Sequence, residues 1–243
     1  MVGTEQGQVP VIMFQRILQA ILGTMLVAWV LGNGPAKVHG TEPSHDELLA
    51  RIQAGDSTAI LEAGTSGDPT LIPALEGFLQ ARSNTVERTI ADLIRAYPTE
   101  EEGRRSVPPR EALMSGEYDA VAQNARTALA KLGVKRYLDE ILVELMNPTN
   151  SMVFRVWHTG GYRIQVQALK KLAYVNDRST VKLVAKFLHA TESPNLTEPS
   201  DVARSPLAAH ALAALRVMVD NPPATNDFKL WQQWWEQNKD KYP

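Results

Sequence analysis

The residues of this chain that could do chemistry do not converge on a reaction. No H-E-x-x-H, G-x-S-x-G or G-x-x-x-x-G-K-[S/T] string occurs. The spacings of a zinc-peptidase helix, a nucleophile elbow and a phosphate-binding loop are therefore missing. Gly64-Thr65-Ser66-Gly67 is one residue short of an elbow and falls where a helix should end, so a plain turn accounts for it. His45-Asp46-Glu47 groups three metal-type ligands. Consecutive helical residues point about 100° apart, however, so the three cannot close on one ion, and a capping role suits them better. His158, His189 and His210 are scattered and are expected on surfaces or helix flanks. With no cysteine, disulfides, a thiolate nucleophile and Cys-ligated metal are excluded. We expect no catalytic residue, no cofactor and no metal.

Recognition is better provided for. Residues 148–163 are longer than a usual helix–helix connection and carry Met152, Phe154, Val156 and Trp157, which a purely solvated loop would avoid. One reading is an apolar flap tucked onto neighbouring helices. The other is a recognition loop, with contact area from Phe154 and Trp157 and charge-assisted bonds from Arg155 and Arg163, types enriched in binding hot spots. His158 completes that candidate partner-binding set: Phe154, Arg155, Trp157, His158 and Arg163. A second polar, Pro/Ser/Glu-rich loop spans 190–204. Both loops follow second helices, so they are expected on one rim. Lys131, Lys135, Arg136, Lys170 and Lys171 occupy comparable places in adjacent units. They could form a basic stripe, although solvated helix faces explain them as well.

The elements that must position these residues repeat. Four blocks share a small or branched apolar residue followed by Leu or Ala at helical spacing, starting at Ala59, Ala128, Ala168 and Ala211; the last three starts are 40 and 43 residues apart. That period marks stacked helical pairs. Ser44-His45-Asp46-Glu47 reads as a capping box before a short helix ending at Gly55. Asp68-Pro69 reads as an N-cap followed by Pro at the first helical position, with Leu71, Ile72, Leu75, Phe78 and Leu79 as the buried stripe. A shift of 109 residues lays Asp177, Phe187 and Leu188 over Asp68, Phe78 and Leu79, and Ala168 over Ala59. A middle pair carries Ala122, Ala125, Leu129 and Leu132, then Leu138, Ile141, Leu142 and Leu145, with Gly133 between them. A helix over residues 85–97 precedes an irregular insertion, 98–117, where the run Glu100 to Arg105 reads as a solvated loop. At the carboxyl end Phe228, Leu230, Trp231, Trp234 and Trp235 fall in one arc of a helix whose other face is polar, as a terminal solenoid helix requires. The tryptophans are expected in the core.

The pairs resemble HEAT-type repeats, specifically the short bacterial PBS-lyase-type HEAT-like class, over roughly residues 56–220. The resemblance implies an all-α, right-handed α–α superhelix (a HEAT-like solenoid) over residues 41–243, closed by a Trp-rich C-terminal capping helix. It also implies binding of a protein or peptide on the concave face and rim. Some members of that class act as lyases or assembly factors for chromophore-bearing proteins, which gives an alternative.

Composition narrows the setting. The apolar share of 44% suits a folded protein, and a formal charge of −2 argues against non-specific attraction to nucleic acid. Arg16 followed by the apolar stretch 17–31 and Val38-His39-Gly40 resembles a signal peptide over 1–40, being short of the ~20 residues a bilayer core requires. An uncleaved N-terminal anchor is the alternative, and is then the chain's sole contact with a membrane. Met13, just before Arg16, would give a more usual signal length. These readings together describe a secreted or periplasmic, non-enzymatic scaffold that binds a protein or peptide and not nucleic acid.

Overall fold

A computed structural model describes residues 43–107, 113, 119–148, 161–189 and 206–243. Every element among them is helical, so the all-α reading holds. The elements are α1 (His45–Gln53), α2 (Ser57–Ser66), α3 (Ile72–Arg95), α4 (Glu100–Ser106) and α5 (Ala120–Lys131). They continue with α6 (Lys135–Met146), α7 (Gly161–Val175), α8 (Val181–Ala185), α9 (Pro206–Met218) and α10 (Phe228–Asn238). Short 3-10 turns precede α3 (Pro69–Leu71) and α8 (Arg178–Thr180), and follow α8 (Lys186–His189) and α10 (Lys239–Lys241).

The starts of these helices are written in short polar side chains. Ser44, Asp56, Thr99, Asp119 and Asp227 each accept a hydrogen bond from a backbone N–H of the first turn they precede. Each satisfies donors that the helix itself leaves unpaired. The 109-residue repeat extends to backbone conformation. Gly67 (φ 69°) and Asn176 (φ 56°) both stand in the left-handed region. Asp68 and Asp177 follow, each accepting from the N–H two residues on, and each opens a 3-10 turn that passes directly into the next helix. Glycine and asparagine are the residues that enter that region at least cost. Leu75 and Val184 are buried at equivalent places, as are Leu79 and Leu188 and the pair Ala59 and Ala168.

Packing follows the same order. α2 lies against α5, α5 against α7, and α7 against α9, while α6 packs on both α5 and α7. Both helices bury small residues, Ala59, Ala63 and Gly64 on α2 and Ala122, Ala125 and Ala128 on α5, and Gly64 lies directly against Ala128. Larger side chains fill the rest of the core, including Ile52, Ile60, Leu71, Leu75, Leu129, Leu145, Leu169, Leu172 and Trp231.

Several sequence expectations are corrected. The helix expected over 85–97 is not separate: α3 runs 24 residues without a break from Ile72 to Arg95. Residues 80–84 contain no Gly or Pro, and the hydrogen bonds Gln80–Asn84 and Thr85–Ala81 carry the spiral through. The charge run is not a loop. Thr99 caps it, Glu100 pairs with Arg104 and Glu101 with Arg105 one turn apart, and it forms α4 with those pairs fully solvated. Gly103 lets α4 lie against α3, since a Cβ there would meet the Ile94 carbonyl oxygen at 2.7 Å. Residues 108–112 and 114–117 of the 98–117 insertion lie outside the described residues, as do 1–42 and 190–204. On α6 the deepest residues are Tyr137, Ile141 and Leu145, with Leu138 and Leu142 only partly covered. On α10 Trp231 and Trp235 are core as expected, but Leu230 is 47% exposed and leaves the arc. Trp231 donates Nε1–H to the Thr225 carbonyl at 2.9 Å, and Trp235 stacks on the buried Tyr242.

Candidate interaction surface

Phe154, Arg155, Trp157 and His158 lie outside the described residues. Arg163 is described, and it is not in a loop: α7 starts at Gly161, so Arg163 is an exposed residue of its first turn.

The basic residues do not form an open stripe. Lys135 pairs with Asp139 one turn along α6, and Arg136 reaches Glu76 on α3 at 2.6 Å. Lys131 donates to the Val175 carbonyl at 3.2 Å, closing the C-terminal end of α7, and lies over the Tyr174 ring. Lys171 is largely enclosed. Its ammonium donates to Glu144 Oε2 at 2.7 Å and to Gln123 Oε1 at 2.8 Å, and so ties α7 to α6 and α5. Lys170 stands exposed beside His210. Burial, with the charge of Lys170 second, holds the His210 imidazole below its ordinary value.

Next to Lys171 lies a less complete pair. Glu140, one turn before Glu144 on α6, reaches Arg126 of α5 only at 3.8 Å. Partial burial raises its carboxyl above the ordinary value, and the Glu144 charge acts the same way, against Arg126, Lys171 and Arg136. The outward side of α6 continues with two apolar side chains, Val143 (46% exposed) and Met146 (44%). Sequence reasoning placed neither of them. The signal was present: seven apolar residues crowd residues 137–146, more than one buried stripe can hold, so some had to face outward.

A second junction crosses from α7 to α2. Tyr174 donates its hydroxyl hydrogen to the Leu61 carbonyl, and burial pushes its phenol up to about 12. At the chain's amino side Arg51 bridges Asp56 and Glu62 at 2.8 and 3.1 Å. Burial opposes the Asp56 charge, yet the Arg51 bond and the Thr58 and Ala59 amides hold its carboxyl below the ordinary range. His45 lies 3.3 Å from Asp68 across α1 and the α3 turn, so it is tied into the cap region as a helix-flank residue. Among the described residues no group of three or more His, Cys, Asp or Glu could hold a metal ion. No helix among them is long and apolar enough to cross a membrane.

The surface that the geometry offers is thus the outer side of α6, apolar at its carboxyl end, with Arg163 at the start of the next helix. No protein-family model, curated protein or solved structure matches the chain.

Proposed function

We propose that this chain is an exported, non-enzymatic scaffold of HEAT-like repeats, wound as a right-handed α–α superhelix, that binds a protein or peptide through its concave face and rim. The observation that carries the reading is the repeated left-handed residue, Asp cap and 3-10 turn, at Gly67 to Leu71 and again at Asn176 to Thr180. Each introduces a helix that follows one with an equivalent buried alanine, Ala59 in α2 and Ala168 in α7. Each repeat of such a stack covers its neighbour's apolar face, leaving side chains on one surface free for recognition. Val143 and Met146 are apolar side chains of that kind.

The test has two parts. Mass spectrometry of the protein from the envelope and culture fractions of its own host should find an amino terminus near residue 41; an intact chain in the cytosol removes the export claim. Photo-crosslinking residues placed at Val143 and at Arg163 should trap one reproducible protein, while one at the exposed Arg95 should not. Equal labelling at all three positions, or none, removes the binding claim.

A further inference from the structure

We propose that the outer side of α8 and its flanking 3-10 turns is a docking surface for an extended acidic peptide, with Lys182, Lys186 and Lys229 receiving its carboxylates. The proposal rests on the partner-binding reading above and adds the chemistry of the partner. The second helices and their turns share a buried row, every fourth residue: Leu71, Leu75 and Leu79 at α3, Tyr137, Ile141 and Leu145 at α6, Thr180, Val184 and Leu188 at α8. Two residues before each of these the chain faces solvent, and there the units differ. The α3 row is Pro69, Pro73 and Gly77, which carry no charge. The α6 row is Lys135, Asp139 and Val143, and Asp139 neutralises Lys135 at 2.7 Å. The α8 row is Arg178, Lys182 and Lys186, with a lysine where α6 has its aspartate. Arg178 is held by Asp220 at 2.6 Å and lies over the Tyr242 ring. Among the described residues Lys182 and Lys186 pair with no carboxylate. Lys229 holds the same place on α10, two residues before the buried Trp231. Its helix is joined to the turn after α8 by Gln232, whose Nε2 donates to the Leu188 carbonyl at 3.3 Å.

Like charges one turn apart repel, so the Lys182–Lys186 pair destabilises the free helix and a counter-charge relieves it. The surrounding sequence is one-sided. Residues 161–189 contain six Lys or Arg and, at the cap residue Asp177, one carboxylate, in a chain whose formal charge is −2. Spacing selects the occupant. Four helical residues rise about 6 Å, and every second residue of an extended chain advances about 6.6 Å on one side. A peptide with carboxylates at alternate residues therefore meets Lys182 and Lys186 in step, with Lys229 on α10 for a third. A nucleic-acid strand suits the surface less, because the exposed residues Arg178, Ser179, Lys182 and Lys186 include no aromatic ring on which a base could stack. Val143 stands on α6 where Lys186 stands on α8, so the apolar contact proposed above and this charged one occupy equivalent places.

The test is a titration of the isotope-labelled full chain with the synthetic peptide Glu-Ser-Glu-Ser-Glu-Ser-Glu, followed by amide chemical shifts. Shifts should move within residues 178–189 and 229–233 and recede as salt rises toward about 1 M. Lys182→Gln and Lys186→Gln should each weaken the peptide about threefold, the usual reach of an exposed pair, with unfolding midpoints no lower than wild type. Lys135→Gln should leave the affinity unchanged. The isomer Glu-Glu-Glu-Glu-Ser-Ser-Ser, out of step with the lysines, should bind more weakly. Equal binding of the two isomers, shifts spread over the whole chain, or tighter binding of a single-stranded oligonucleotide of equal charge overturns the proposal. So does a gain of about tenfold on neutralising Glu192, Glu198 and Asp201 together, which would assign the surface to the chain's own tethered segment. A protein trapped at Val143 while the peptide leaves α8 unmoved removes this proposal and leaves the binding reading standing.

Discussion

The Tyr174 hydroxyl stands where a side chain at position 64 would have to go: a Cβ built on Gly64 would lie 2.3 Å from that oxygen and 2.9 Å from the Cα of Ala128. Three helices, α2, α5 and α7, therefore meet at one glycine, and the Tyr174 hydroxyl uses the opening to reach the Leu61 carbonyl.

Gly64→Ala should destabilise the fold although alanine is the better helix former. The propensity gain is about 1 kcal/mol, while forcing a methyl into this contact costs about 2–3 kcal/mol, so a net loss of about 1–2 kcal/mol is expected. Adding Tyr174→Phe should recover only part of it, because the Ala128 backbone remains in the way. Urea unfolding of the single and double variants measures both; full recovery would place the clash at the hydroxyl alone.

Tyr174→Phe by itself removes one hydrogen bond and should cost about 1 kcal/mol near neutral pH. Its second effect is alkaline. The folded phenol is raised to about 12 from an ordinary 10.0, so above 10.0 the unfolded chain gives up its proton first. Wild-type stability should fall as pH rises through that interval, and the Phe variant should fall less steeply. Thermal midpoints from neutral to strongly alkaline solution, compared between the two, check the sign.

Lys171→Met should cost about 2 kcal/mol, since it strands the mostly covered Glu144 and leaves the Gln123 oxygen without its donor. Combining it with Glu144→Leu should give a chain more stable than Lys171→Met alone, because the second change removes the stranded charge. A double-mutant cycle by chemical unfolding gives the coupling. No coupling between the two sites would show that Lys171 acts through packing of its stem.

Asp119 is 2% exposed; it caps α5 through the Ala122 amide and pairs with Arg82 of α3. Asp119→Asn keeps a capping oxygen and loses the charge, whereas Asp119→Ala loses both. The Ala variant should be the weaker by about 1 kcal/mol, the usual worth of a cap. Equal losses would assign the whole effect to the ion pair. Chemical unfolding of the two variants beside the wild type gives both losses, and because the pair is buried they should change little with salt.

Much of this architecture could be read ahead of the structure because its signals are local. Asp68 and Asp177 announce a helix start through a side chain two residues from its partner amide, and the recurrence at 109 residues is a property of the string itself. What could not be read is set by distance. Lys171 and Gln123 are 48 residues apart, and Tyr174 and Leu61 are 113 apart, so nothing near either residue announces the contact. Lys131, Arg136 and Lys171 read as part of a surface stripe for that reason, since their partners lie on other helices, 44, 60 and 27 residues away. The continuity of α3 was missed for another reason. Ser83 and Asn84 are weak helix formers, and propensity alone invites a break that the Gln80–Asn84 and Thr85–Ala81 bonds prevent. Arg163 falls within the long 148–163 connection of the sequence reading, whereas α7 already begins at Gly161.

Tyr242 is 3% exposed, stacked on Trp235, covered by Arg178 and accepting the Asp220 amide hydrogen on its hydroxyl. The ring is therefore a latch that fastens the segment after α10 onto the turn that follows α9. The rate at which the Asp220 amide trades its hydrogen for deuterium becomes a clock for how often that latch springs open, readable without any label on the protein.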